Sequence, residues 1–356
     1  MSAPSSPKTA AGRYFEDFRL GETIRHSTPR TLTCGDASLY SALYGARFAP
    51  QSAETFARAI GYPASPIDDL LAFHVVFGKT VPDVSLNAVA NLGYADCRFS
   101  KPVFAGDTLS AASQVIGLKE NSNSQSGVVH VRSKGFNQRG ETVVEYVRWV
   151  MVRKRDSAAA APETHVPRLP EAVGFAELGA ACPRIDRAAF DDVLSGSLYR
   201  FEDYSPGERI DHGDGVTVEE AEHQTATRLY QNAAKVHFNQ FSEGQGRFGR
   251  RLVYGGHVIS LARALSFNGL ANAFHIAAIN GGRHVAPLFA GDTVFAWSEI
   301  VATAALPGRD DVGGLRLRTV ATKNRPCADF PFREGEGYEP HVVLELDYWA
   351  LAPRRF

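Results

Sequence analysis

The sequence predicts an α+β fold made twice over: two tandem domains, each an antiparallel sheet wrapped around one apolar helix. Three observations carry this. The first is an internal duplication. Phe15-Glu16-Asp17-Phe18 matches Phe201-Glu202-Asp203-Tyr204, and Gly21-Glu22 matches Gly207-Glu208. The register runs on without a gap through Thr31/Thr217, Asp36/Glu222, Leu43/Leu229 and Tyr44/Tyr230, and PVFAGDTL at 102–109 answers PLFAGDTV at 287–294. A period this long marks two homologous domains, not a solenoid of short repeats. The second is one strongly apolar helical run in each copy, about Leu70–Thr80 and about Gly255–Ala273. The third is a set of apolar or alternating β-branched segments after each of those runs. An apolar helix of that kind is buried on most sides only if a sheet encloses it.

Taken in order, residues 1–12 form a small, polar leader expected to be disordered. The N-terminal domain spans 13–155. Its Asp36–Tyr44 segment is helical, Leu70–Thr80 is the central helix, and GDTLSAASQVIGLKE, GVVHVRSKGFNQRG and ETVVEYVRWVMVRKR are strands, with a hairpin turn at Asn137–Gly140. Asp68-Asp69 sit where an N-terminal cap and a complement to the helix dipole belong. Residues 156–180 are an Ala- and Pro-rich linker, with EAVGFAELGAACPRID partly helical and free to pack on either half. The C-terminal domain, 181–356, repeats the plan with Glu219–Tyr230, the helix from Gly255, and strands in DTVFAWSEIVATA, GGLRLRTVATKN and HVVLELDYWALAPR.

Composition narrows the function. Hydrophobic residues make up 44% and charged residues 22% of the 356-residue chain, and the net charge is -1. That balance gives no general pull toward nucleic acid or anionic membrane. The four cysteines are scattered without a CxxC pair, as in a reducing compartment. No signal-peptide core and no run of about 18 apolar residues is present, so the expected location is cytoplasmic. No P-loop, GxGxxG, HxH or HExxH motif occurs, and the expectation is no metal and no bound cofactor.

The chemistry concentrates between Tyr230 and Asn272. There His237 follows Asn232 by five residues, and Gly255-Gly256 opens the apolar helix. A histidine can act as acid or base near neutral pH. Free backbone N–H groups at a helix start can hold a developing negative oxygen. PVFAGDTL and PLFAGDTV resemble the strand entry of hotdog-fold domains in the MaoC-like (R)-specific enoyl-CoA hydratases and dehydratases, and Thr217–Gly256 resembles that family's hydratase motif. NAVANLGYADCRF, GLKENSN, HVISLARALSFNGLANAFHIAAIN and RPCADFP resemble the family's mesaconyl-CoA hydratases (β-methylmalyl-CoA dehydratases). The resemblance implies a double hotdog, a hydro-lyase acting on a C5 dicarboxylic acyl-CoA, a place in acetate or C5 acyl-CoA assimilation, coenzyme A present only within the substrate, and a homodimer.

The family motif is Asp-x-Asn-Pro-x-His. His237 matches its histidine, Asn232 stands at the aspartate, and Ala234-Lys235 replace Asn-Pro. An amide positions water but cannot take its proton. Either His237 carries the proton chemistry, or a carboxylate such as Glu222 or Asp69 enters from elsewhere. The first copy has Ala46 and Gln51 at these positions, so it is expected to shape the substrate site without chemistry of its own. Gly255 and Gly256 either form an oxyanion hole or permit close packing, and Asn232 is either an active-site group or a cap. Tyr254 is a candidate lining of the acyl pocket. Arg251, with Arg247 and Arg250 of the same loop, is a candidate for the substrate carboxylate or the coenzyme A phosphates, with a solvated basic turn the alternative, and Arg283-His284 is a second candidate for the carboxylate. His74 and His257, inside the apolar helices, are expected as packed core histidines. Hydration of another enoyl-CoA, non-catalytic acyl-CoA binding, and thioester hydrolysis on the same fold remain as alternatives.

Overall fold

A computed structural model describes residues 8–355. Most of the expected leader, residues 1–7, lies outside them. In the first copy the strands are β1 (Thr23–Thr31), β2 (Ala88–Phe99), β3 (Thr108–Glu120), β4 (Ser126–Phe136) and β5 (Thr142–Arg153). In the second they are β6 (Arg209–Asp211), β7 (Val216–Thr217), β8 (His275–His284), β9 (Thr293–Ala305) and β10 (Val312–Lys323). The hairpin β11 (Arg333–Glu334) and β12 (Gly337–Tyr338) follows, then β13 (Val342–Pro353). The main helices are α1 (Cys34–Tyr44) and the central α2 (Asp69–Thr80) in the first copy, and α3 (Glu220–Leu229) and the central α4 (Gly255–Leu265) in the second.

Both sheets fuse into one. The strand order is β1-β3-β4-β5-β2-β8-β13-β10-β9-β6, with β7 on β9. The seam is the antiparallel β2–β8 pair, in register at Tyr94/Gly282, Ala95/Gly281, Cys97/Ile279 and Arg98/Ala278. Neither seam strand stands out in the sequence: β2 is AVANLGYADCRF and β8 ends in NGGRH, both weak in β-branched alternation. Small residues allow the seam to close, since a Cβ on Gly282 would press on the Tyr94 ring at 3.1 Å.

The duplicated motifs have duplicated jobs. In PVFAGDTL, Gly106 turns the chain with φ 99° and Asp107 accepts the Phe104 N–H at 2.9 Å. In PLFAGDTV, Gly291 (φ 91°) and Asp292, which accepts the Phe289 N–H at 3.0 Å, do the same. Each turn feeds the long strand that follows. His26 and His212 likewise each bond a serine of that strand, Ser113 at 2.7 Å and Ser298 at 2.8 Å. At the centre the equivalent tyrosines meet: Tyr44 and Tyr230 share a hydroxyl hydrogen bond of 2.6 Å across a sequence offset of 186.

The hairpin at Asn137–Gly140 is present, closed by Asn137 N–H to Glu141 O at 3.0 Å. Two expectations change. The second central helix does not run to Ala273; it stops at Leu265, and the chain kinks at Asn268 (ψ 102°) and Gly269 (φ 100°). A side chain at Gly269 would collide with Ile210, so this bend is built for glycine. The segment 171–186 holds only a single 3-10 turn, Phe175–Glu177. It lies flat on the outer sheet face, where Val173, Leu178, Cys182 and Ile185 pack with Phe274, Trp349 and Leu351. Further upstream, His165 bridges to Leu118 of β3. Among the described residues, no helix is long and apolar enough to cross a membrane.

Gly78 of α2 makes a tight backbone contact between the copies. A Cβ there would overlap the Tyr230 carbonyl and lie 3.3 Å from the Asn232 nitrogen. Those groups are backbone and cannot swing away. Gly78→Ala should therefore cost about 1–3 kcal/mol or more, read as a lower denaturation midpoint with an unchanged m-value.

Candidate active site

The copies differ most where the duplication should place two equivalent sites. In the first copy a small hollow is lined by Ala37, Tyr40, Ser41, Ala46, Phe48, Gln51, Pro66, Asp68 and Leu71. At the 186-residue offset, Ala37, Ala46, Gln51, Asp68 and Leu71 give way to His223, Asn232, His237, Tyr254 and His257. The local hydrogen bonds support the offset: Ile67 N–H donates to Val103 O as Val253 N–H donates to Leu288 O. The second copy thus carries imidazoles, an amide and a phenol where the first carries small, apolar or acidic groups.

His237 ends a short 3-10 turn, Lys235–His237, after the loop that leaves α3. Its Nδ1 bonds the Leu252 carbonyl at 2.8 Å. A carbonyl only accepts, so Nδ1 carries the proton and Nε2 keeps its lone pair. Among the described residues Nε2 has no hydrogen-bond partner. Burial lowers the His237 pKa to about 4, the Leu252 hydrogen bond opposes this, and the nearby His223 lowers it further. The ring is therefore a neutral base at pH 7.

Asn232 is buried, and its Oδ1 accepts the Ala234 N–H at 2.9 Å. The amide therefore caps the turn that carries His237, which answers one of its two expected roles. Gln231 before it takes a positive φ of 52°, and Lys79 reaches its side chain at 3.3 Å.

Tyr254, the residue before α4, stands at the centre. Its ring lies 5.4 Å from His237, 5.7 Å from His74, 5.8 Å from Phe77 and 5.9 Å from Tyr230. Gly255 and Gly256 open the helix beside it. A side chain on Gly255 would strike the His284 ring, and one on Gly256 would strike Tyr254 and lie 2.6 Å from His74 Cε1. Close packing is thus a firm reason for both glycines, and it leaves their N–H groups at a helix start, where no carbonyl lies one turn earlier to receive them.

Five buried or partly buried histidines surround this point. His74 and His257 are held to about 3 and His284 to about 4, each first by burial. His223 is also lowered by burial, against the pull of Glu220 at 3.2 Å. His74 and His257 are buried as expected, yet they are not passive core. His257 Nδ1 meets the Tyr44 hydroxyl at 3.0 Å. Among the described residues, both His74 nitrogens, His257 Nε2, His284 Nε2 and the Tyr254 hydroxyl are buried without a hydrogen-bond partner. Buried polar atoms in folded proteins normally find partners, so these groups stand out as unmatched donors and acceptors around Tyr254. Sequence reasoning singled out His284 only beside Arg283, as a carboxylate candidate, and missed His223; the 186 offset, carried through Ala37, would have reached His223.

Several candidates fall elsewhere. Asp69 lies at the opposite end of α2, tied to β8 through the Ile276 N–H at 2.9 Å and His275 at 3.0 Å, so it is no base for His237. Asp68 caps α2 as expected, accepting the Leu70 N–H at 2.9 Å; its carboxyl, raised to about 6 by burial, lines the first-copy hollow. Arg283 is exposed, because on β8 it alternates with the inward His284. Arg251 is paired with Glu220. Arg247 and Arg250 are exposed and lie over Phe248 and Phe289. Glu222 is partly exposed on α3, with no recorded bond to the cluster.

Comparison with known proteins meets this geometry. The family model described as mesaconyl-CoA hydratase matches residues 6–328. A β-methylmalyl-CoA dehydratase of Chloroflexus aurantiacus is 62% identical over 351 residues, covering 98% of this chain and 99% of the relative. A mesaconyl-CoA hydratase of Cereibacter sphaeroides is 60% identical over 351 residues, covering 98% and 100%. A crystal structure of a putative MaoC domain protein dehydratase from Chloroflexus aurantiacus superposes with a TM-score of 0.97 at 61% identity, covering 99% of this chain and 100% of that one. A Mycobacterium tuberculosis protein described as a double hotdog fold gives 0.72 at 25% identity, with 96% and 98% covered. On the matched family model and these full-length relatives, the chain is a double-hotdog protein and belongs to the mesaconyl-CoA hydratase family.

Proposed function

We propose that this protein is a hydro-lyase that reversibly adds water to mesaconyl-CoA (2-methylfumaryl-CoA), giving β-methylmalyl-CoA. The observation that carries the reading is His237: a neutral imidazole with Nδ1 fixed on Leu252 O and Nε2 free, beside the glycine start of α4, in a chain 60–62% identical to enzymes so named.

The chemistry follows from the thioester. Its carbonyl draws electrons from the conjugated double bond, so the β-carbon accepts a nucleophile. His237 Nε2 removes a proton from water as the oxygen bonds to that carbon. The displaced electron pair moves onto the thioester oxygen, which the N–H groups of Gly255 and Gly256 receive. The enolate-like carbon next to the thioester then takes the proton back from the His237 imidazolium, so atoms and charge balance. Asn232 fixes the turn that aims His237 and does not itself exchange a proton. Coenzyme A enters as part of the substrate, and the first copy, lacking both groups at Ala46 and Gln51, contributes walls such as His74 and Phe77.

His237→Ala should lower kcat/KM for mesaconyl-CoA by about 10²–10⁴, followed as loss of enoyl-thioester absorbance, with the fold intact by circular dichroism. Wild-type rates within about threefold of this variant would remove His237 from the chemistry. The pH profile follows in sign: the base is neutral well above its lowered pKa, so kcat/KM should stay level from pH 8 to about 6 and fall only as pH drops toward about 4. A limb centred near the ordinary histidine value would assign the base elsewhere. Asn232→Ala should lower the denaturation midpoint, losing about 1 kcal/mol of capping, and lower kcat. Asn232→Asp, which keeps the acceptor, should restore the midpoint.

A further inference from the structure

Resting on the proposed substrate, we infer that Arg148, with the hydroxyls of Tyr146 and Tyr254, receives the free carboxylate of the acyl group and so selects dicarboxylic acyl-CoA thioesters. Arg148 on β5 is fully buried at 0% exposure. Its guanidinium donates only to the hydroxyls of Thr80 at 2.7 Å and Ser85 at 3.2 Å, and it lies 4.3 Å over the Phe77 ring. No carboxylate bonds it among the described residues, and its Nε–H has no acceptor. A buried cation without an anion costs several kcal/mol, so such a group persists where function supplies the counter-charge.

The surroundings point the same way. Tyr146 is two residues from Arg148 on the same face of β5, and its buried hydroxyl, near Ser133 and Thr80, makes no hydrogen bond of good geometry among the described residues. The Tyr254 hydroxyl is unpartnered too, and Tyr254 touches both the His237 ring and, through Phe77, the Arg148 stack. The charge of Arg148 acts on the phenols of Tyr94, Tyr146 and Tyr254 alike. Two hydroxyl donors and a guanidinium N–H, all unmet and all buried, make a carboxylate cradle one ring away from the base. Three other cations on these elements are committed elsewhere: Arg251 to Glu220, Lys79 to Thr28 O and Gln231, and Arg263 to Ala273 O and Ser266 at the far end of α4, while Arg247, Arg250 and Arg283 are exposed. The substrate carboxylate sits next to the carbon that water attacks. Fixing it would therefore place that carbon before His237 as well as select the substrate.

The test uses the full chain and two saturated, unreactive thioesters of the same carbon skeleton. 2-Methylsuccinyl-CoA carries the carboxylate; 2-methylbutyryl-CoA carries a methyl group in its place. Dissociation constants come from titration calorimetry on wild type, Arg148→Met, Arg148→Lys and Tyr146→Phe, beside wild-type turnover of mesaconyl-CoA. Wild type should bind 2-methylsuccinyl-CoA more tightly. Arg148→Met should weaken that binding ~100-fold or more and leave 2-methylbutyryl-CoA within about threefold. Tyr146→Phe, which keeps the ring, should weaken only the dicarboxylic ligand, and serves if Arg148→Met does not fold. Equal loss for both ligands, or no loss for either, overturns the assignment of Arg148. A wild type inert on mesaconyl-CoA yet selective for 2-methylsuccinyl-CoA overturns the proposed reaction and leaves the carboxylate site standing.

Discussion

The approach of the two copies at Gly78 and Gly256, and the packing of Gly255 within the second copy, set the spacing of the site. Gly78 lets α2 press its backbone on the Tyr230 carbonyl, Gly256 brings α4 onto the His74 ring, and Gly255 brings it onto His284. Backbone atoms and buried rings cannot yield, so the contacts leave no freedom for a Cβ. From them follow the placing of Tyr230 against Tyr44, the loop that carries Asn232 and His237, and the start of α4 beside Tyr254. A helix start is useful only if something reacts next to it, and here packing rather than loop flexibility brings the two together.

Burial then decides the charge states. Loss of water around each of the five imidazoles pushes it toward its neutral form, and for all but His223 a neighbouring histidine adds to the shift. A neutral imidazole is a base, which is what the loss of an aspartate at Asn232 demands. The same burial makes the histidines a liability in acid. Between their lowered pKa values and the ordinary value near 6.5, the unfolded chain binds more protons, so stability falls as pH falls through that window. Asp68, raised to about 6, acts in the opposite sense over part of the range, as a single group against several.

The duplication has diverged in one place while its frame stayed fixed. The turns at Asp107 and Asp292, the strand-linked histidines His26 and His212, and the paired tyrosines all keep equivalent bonds. The site positions do not. The first copy has Gln51 and Asp68 around a small hollow, the second has His237 and Tyr254. The first copy still contributes to this region, because His74 and Phe77 of α2 pack against Tyr254 and Arg148 lies over Phe77.

By itself the sequence determined the duplication, the two apolar helices and the hairpin at Asn137–Gly140, and it singled out His237 and the glycine pair, which the fold brings together beside Tyr254. These are local or periodic signals, and an offset of 186 or a five-residue spacing survives in one dimension. Tertiary structure alone decided the fusion of the sheets through β2 and β8, since strand pairing at a seam of Ala and Gly leaves no alternation to read. It decided that Asp69 belongs to the far end of α2 and that Arg283 points outward, because antiparallel helices and strand alternation separate residues close in sequence terms. It also decided that His74 and Phe77, ordinary residues of a helix, pack against Tyr254 of the second copy. No local pattern encodes that meeting, because the groups come from distant segments and are joined only by close packing.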